Sequence, residues 1–293
     1  MAAEVELLAV VGAGSMGAQI AQQAALGGVS VLLQDVSREQ LAKAAASNRA
    51  LLERRVQKGT LSADGCEAAL ARVRTTPDLA EAVAGAGIVI EAIVENLEAK
   101  RQLFARLDEL TSPQTVLATN SSTMVVSEIA AGLAHPERCC NMHFFFPVLV
   151  MDLVEIVKGP QTSEATVEAA LQLARRMGRT AVVIRKEIDG FIVNRILHAA
   201  SQEAYRLLDA GVASFEDIDT AVEKGLNWPM GPFRLGDFSG LDVTYNARLF
   251  RFQKTGDERY RPSKALEAKV KAGELGRKTG KGWYDYTEDA AKK

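Results

Sequence analysis

The chain has 293 residues, 47% of them hydrophobic and 25% charged, with a formal net charge of −2. That length predicts two domains, each able to bury a core without help from disulfides or metals. The charge balance excludes a broad nucleic-acid-binding surface and an acidic tail. Cys66, Cys139 and Cys140 have neither the number nor the spacing of a disulfide framework or a metal site. Cys139 and Cys140, in an apolar stretch, read as buried free thiols, which fits a reducing compartment. The N-terminal stretch carries acids where a targeting peptide would carry Lys or Arg. No apolar run approaches the ~20 residues of a membrane span. The expectation is a cytoplasmic protein without nucleic-acid or membrane partners.

In chain order, Leu7 to Val11 is a short apolar run, followed by Gly12-Ala13-Gly14-Ser15-Met16-Gly17 and a helical pattern through Leu26. Gly27-Gly28 stops that helix. Val29 to Leu33 is a second apolar run leading to Asp35, and a helix is predicted from about Arg38 to Lys58. Ile88 to Ile93, Thr115 to Thr119 and Cys139 to Phe145 read as strands, with a helix over Glu98 to Leu110. Met151 to Val157 and Thr180 to Arg185 read as two more strands flanking a helix over Ser163 to Met177. Strands alternating with helices predict a parallel, doubly wound α/β sheet. After Asp189-Gly190 the strand signal ends. A long helix is predicted over Phe191 to Leu208, then further helices with turns at Asn227-Trp228-Pro229 and Met230-Gly231-Pro232. The expected architecture is therefore a Rossmann-type domain over residues 1–186 and an all-helical C-terminal domain over 187–293.

The glycine run matches G-x-G-x-x-G between a strand and a helix, and Asp35 stands 23 residues after Gly12 (35 − 12). That context is what a dinucleotide site needs. Gly12 permits the tight turn, Gly14 lets a pyrophosphate approach, and Gly17 lets helix and strand pack closely. Ser15 and Met16 open a helix whose N–H groups face the phosphates. Asp35 accepts hydrogen bonds from ribose hydroxyls and repels a 2′-phosphate, which favours NAD over NADP, although Arg38 lies near. A flavin dinucleotide is the competitor, and the catalytic pattern argues against it.

Of the three histidines, His135 precedes Pro136 in a loop and His198 sits inside the long helix as a packed core or interface residue. His143 ends an apolar strand, the end at which sites form in open α/β sheets. Glu155 lies inside the next strand, where a lone carboxylate is expensive unless paired. A histidine brought against it would satisfy both. The pair also suits alcohol oxidation: a neutral imidazole takes the hydroxyl proton, and a carboxylate on its other nitrogen orients it.

With these features the sequence resembles the L-3-hydroxyacyl-CoA dehydrogenase family, which includes bacterial 3-hydroxybutyryl-CoA dehydrogenases. The resemblance runs through the glycine turn, Val89 to Leu97, Thr119 to Thr123, His143-Phe144-Phe145 with Glu155, Asp189 to Arg195, Asp217-Ile218-Asp219, Pro229 to Pro232 and Gly273 to Gly280. It implies that His143 is the base and Glu155 its partner, that Ser122 approaches the substrate hydroxyl and the nicotinamide end, and that Asn194 holds the substrate. It further implies that Glu95, Lys100 and Asn120 line the cofactor, and that Arg54 and Lys58 lie where CoA phosphates are bound. A homodimer through the helical domain, with the site in the cleft between domains, also follows from it. The implied reaction is the reversible, NAD-dependent oxidation of a short-chain (S)-3-hydroxyacyl-CoA. Two positions depart from the family pattern: Phe146 stands where an asparagine is usual, and Asp152 where many relatives carry lysine. They keep open the same chemistry on a carrier-protein-bound or free 3-hydroxy acid. A non-catalytic dinucleotide sensor is the remaining alternative.

Overall fold

The computed structural model describes residues 5–287. The strands are β1 (Leu7–Val11), β2 (Ser30–Gln34), β3 (Val73–Thr76), β4 (Ile88–Glu91), β5 (Val116–Thr119), β6 (Cys139–Phe144), β7 (Leu153–Val157) and β8 (Thr180–Ile184). The helices are α1 (Ser15–Leu26), α2 (Arg38–Gln57), α3 (Ala63–Ala71), α4 (Leu79–Val83), α5 (Leu97–Leu110), α6 (Val126–Ile129) and α7 (Glu164–Arg176), then α8 (Val193–Asp209), α9 (Phe215–Gly225), α10 (Pro232–Ser239), α11 (Leu241–Thr255) and α12 (Lys264–Lys271). The chain divides into two compact units, the first ending at Ile192 and the second beginning at Val193.

In the first unit the eight strands form one sheet in the order β3-β2-β1-β4-β5-β6-β7-β8. Successive residues of β1 show why helices cover both faces. Leu8 and Val10 join Val31, Leu33, Ile88 and Ile90 against α1 and α7. Ala9 and Val11 join Val89 and Leu117 against Phe104 and Leu107 of α5. A sheet buried on both faces reads as continuous apolar runs, which is how β1, β2 and β4 read.

One feature of the sheet differs from the expected parallel winding: β7 runs antiparallel to β6, and the other pairs are parallel. The short connection over 145–152 explains it, because a parallel neighbour needs a crossover of a dozen or more residues. The edge strand β3 went unpredicted. Of its residues Val-Arg-Thr-Thr only Thr76 is buried, so no apolar run marks it. The predicted long helix starts later than Phe191, because Gly190 and Phe191 both have positive φ, +76° and +50°. Left-handed backbone cannot continue into a right-handed helix.

The second unit is helical around an aromatic core. The rings of Phe233 and Trp283 lie 4.8 Å apart, and those of Tyr205 and Phe233 5.2 Å apart. Two buried carboxylates tie the C-terminal segment to α9 and α10. Asp219 accepts from the amides of Phe233 and Arg234 and from the Tyr284 hydroxyl, each at 2.9 Å. Asp237 accepts from the amides of Trp283 and Tyr284, also at 2.9 Å. Among the described residues no helix is long and apolar enough to cross a membrane.

Candidate active site

The glycine turn is built by exclusion of side chains. Gly12 has φ +101°, and a Cβ there would sit 2.6 Å from the Ala92 carbonyl oxygen. A Cβ on Gly17 would sit 1.8 Å from the Gly12 carbonyl oxygen, so α1 could not pack against the turn. Around Gly14 a Cβ would meet nothing within 4 Å: this is open space, not packing. Gly14 is also the N-cap of α1, without a side-chain cap and with no acid in the first turn. The first N–H groups of the helix, at Ser15 and Met16, therefore present uncompensated positive charge to an incoming anion. Asp35 stands just beyond β2. One of its oxygens accepts from the Ala13 amide at 2.9 Å and the other from the Ser37 amide at 2.9 Å. The acid and the turn are thus locked together. Open space over Gly14, an uncapped helix end and a fixed carboxylate fit a dinucleotide with free ribose hydroxyls.

Beside this turn lies a buried polar network. Glu91 ends β4 fully buried, and Lys100 of α5 is 1% exposed. Lys100 Nζ lies 2.5 Å from Glu91 Oε1 and 3.2 Å from Glu95 Oε2. Thr119 Oγ1 donates to Glu91 Oε2 at 2.7 Å. Glu95 accepts in turn from the hydroxyls of Ser121 and Thr123. Burial works to raise the Glu95 carboxyl, but the Ser121 hydrogen bond and the Lys100 charge outweigh it and hold it below the ordinary range. Ser122, half-buried, stands between the two residues that Glu95 grips. Asn120 reaches the next strand, where its Oδ1 accepts from the Phe144 amide at 3.0 Å.

His143 and Glu155 are register partners across β6 and β7. His143 Nδ1 lies 2.8 Å from Glu155 Oε2, with the side chains 6% and 1% exposed. The second carboxylate oxygen, Oε1, accepts from the Ile192 amide at 3.1 Å. The imidazole is flanked by Phe145, with ring centroids at 4.4 Å, and by Phe191 at 5.4 Å. With Nδ1 committed to a carboxylate, Nε2 is the nitrogen left for chemistry, and a proton on Nδ1 makes Nε2 an acceptor.

The other predicted positions are spread more widely. Asn194 is the second residue of α8, in the second unit. Arg54 and Lys58 are exposed at the C-terminal end of α2, where basic residues also complement the helix dipole. Phe146 is exposed. Asp152 accepts from the Thr180 hydroxyl at 2.7 Å, so it belongs to the start of β8. His135 pairs with Glu137 at 3.3 Å. Of the two expectations for His198, core or interface, its exposure overturns the core one, and the ring meets Arg251 at 3.1 Å. Sequence reasoning overlooked Glu91. Its signal was the same as for Glu155, a carboxylate in an apolar strand. It also overlooked Phe191, whose contact with His143 has no local signal.

Two family models cover the chain: the 3-hydroxyacyl-CoA dehydrogenase NAD binding domain matches residues 7–188, and the 3-hydroxyacyl-CoA dehydrogenase C-terminal domain matches residues 190–286. The chain belongs to the 3-hydroxyacyl-CoA dehydrogenase family. A probable 3-hydroxybutyryl-CoA dehydrogenase of Bacillus subtilis is 41% identical over 97% of this chain and 99% of its own length. The (S)-3-hydroxybutyryl-CoA dehydrogenase of Ralstonia eutropha superposes with a TM-score of 0.90 at 36% identity, over 97% of this chain and 99% of its own. A 3-hydroxybutyryl-CoA dehydrogenase of Escherichia coli K12 gives a TM-score of 0.91 at 41% identity over 97% of this chain, which spans only 60% of that protein. In this family the dinucleotide that the glycine turn and Asp35 fit is NAD, and the chain is an NAD-dependent oxidoreductase.

Proposed function

We propose that this enzyme interconverts short-chain (S)-3-hydroxyacyl-CoA thioesters, typified by 3-hydroxybutyryl-CoA, and 3-oxoacyl-CoA. The observation that carries the proposal is the buried His143–Glu155 pair, 2.8 Å apart. Glu155 fixes the proton on Nδ1 and stabilises the imidazolium, so Nε2 takes the substrate hydroxyl proton. General-base help of this kind contributes roughly 10²–10⁴ in rate. Bound NAD supplies the hydride acceptor. Ser122 and Asn194 orient the substrate oxygen. Gly12, Gly14, Ser15, Met16, Gly17 and Asp35 hold the pyrophosphate and adenosine end. Glu95 and Asn120 shape the loop that meets the nicotinamide end. Lys100, fully enclosed, serves by positioning Glu95. Arg54 and Lys58 attract the CoA phosphates.

Residues 1–186 form the NAD-binding domain and 187–293 the substrate and dimerisation domain. Exposed Ile196 and Phe238 support a homodimer through the helical domain, since large apolar side chains in water mark contact surfaces. Three buried free thiols favour the reducing cytoplasm. The test is NADH consumption with acetoacetyl-CoA, with acetoacetate in parallel and NADPH as the cofactor control. Turnover of the thioester alone, with NADH preferred, is expected. An enzyme that binds NADH but leaves the thioester untouched, or prefers the free acid, overturns the assignment.

A further inference from the structure

Two consecutive residues meet the two members of the His143–Glu155 pair. The Phe191 ring lies 5.4 Å from the His143 imidazole, centroid to centroid. The next backbone amide, that of Ile192, donates to Glu155 Oε1 at 3.1 Å. Phe191 is 1% exposed, and it packs with Val125, Val157 and Ile184. In an interior packed this closely the ring has little room to move. The backbone that delivers it is left-handed, with φ +50°, directly after Gly190 at φ +76°. The Phe191 amide closes this turn by donating to the Ile188 carbonyl at 3.1 Å. A bulky side chain in that region is an outlier. Such strain persists where the surroundings enforce it, and it gathers at functional sites. A residue that only filled the core could do so from ordinary backbone.

The imidazole needs such support. Its Nδ1 is held through one contact, to Glu155 Oε2 at 2.8 Å. One contact sets a distance and leaves the ring able to pivot, because the terminal torsion of histidine is broad. Nε2 sits across the ring from that contact, so a pivot displaces the nitrogen left for chemistry. A displacement of about 1 Å is enough to cost on the order of 10² in rate. Phe145, the other ring beside the imidazole at 4.4 Å, is only partly buried. Phe191 is the enclosed wall.

We propose that Phe191 is a positioning residue for proton transfer: its ring holds the plane of the His143 imidazole while the amide that follows holds Glu155, so that Nε2 meets the substrate hydroxyl in one orientation. The proposal rests on the dehydrogenase assignment above and on His143 as its base.

The experiment measures kcat, the KM for acetoacetyl-CoA and the stoichiometry of NADH binding for F191L, F191G, E155Q and the double variant F191L/E155Q. F191L keeps apolar bulk and removes the ring. F191G also suits the left-handed backbone, so it separates the ring from the strain. Both are expected to lower kcat per NADH site by about tenfold or more, with KM and NADH affinity close to native. The solvent deuterium isotope effect on kcat should grow as proton transfer becomes limiting. In the E155Q background, where the imidazole has already lost its carboxylate, F191L should cost far less, because two residues that act on one group are not additive. Native kcat in F191L or in F191G overturns the proposal. So does an unchanged isotope effect, an equal loss in both backgrounds, or a loss that only follows the number of NADH sites. These outcomes leave the dehydrogenase assignment standing. An intact chain that does not turn over acetoacetyl-CoA defeats that assignment itself, and the proposal with it.

Discussion

The two ends of the candidate site are made in opposite ways. At the cofactor end the working surface is backbone, and its key residues act by lacking side chains: Gly12 and Gly17 allow contact, while Gly14 leaves space. At the catalytic end the working surface is a pair of buried side chains that meet because β7 turns back along β6. The comparison teaches that a local site tolerates no added atom, whereas a non-local one tolerates no loss of a partner.

The largest effect expected on this contrast is at His143. His143→Ala should lower kcat by about 10²–10⁴, while NADH fluorescence titration shows cofactor affinity close to native. Near-native turnover would remove His143 as the base. Next comes the network between the two ends. Lys100→Met leaves Glu91 charged and fully buried, and breaking such a pair costs about 3–5 kcal/mol. A denaturant melt should register it, and an unchanged midpoint would show that water reaches Glu91.

The glycines sharpen the comparison within one turn. Gly17→Ala forces a methyl into the Gly12 carbonyl, and overpacking of this kind costs about 1–3 kcal/mol. Gly14→Ala should leave the thermal midpoint unchanged and weaken NADH binding, because its methyl enters the space left for the phosphates. If both variants lose stability together, Gly14 is a packing residue. The smallest effect concerns Glu95, whose carboxyl is held below its ordinary range. A depressed carboxylate adds stability above its unfolded value, about 4.3 for a glutamate, and that contribution is lost as pH falls through the folded value. The gap in melting temperature between the native chain and Glu95→Gln should therefore narrow as pH drops below the ordinary carboxylate range. A constant gap would assign the effect to packing.

Much of this was legible before any coordinates. The strands β1, β2 and β4 announce themselves because both faces are buried, and the glycine turn because its constraints act within six consecutive positions. Glu155 was legible for an energetic reason: a carboxylate among Leu153, Val154 and Ile156 needs a partner. By the same reasoning Glu91 could have been found. The edge strand β3 could not, since it is polar wherever it meets water.

Composition, periodicity and the glycine spacing settle the α/β class, the helical remainder and a dinucleotide as the class of cofactor, because each depends on neighbours close in the chain. The Ile192 amide on Glu155 and the Phe191 ring beside His143 depend on residues far apart in the chain. Periodicity carries no record of such pairs. They exist through packing, where burial makes an unpaired charge costly and so dictates which distant partners must meet.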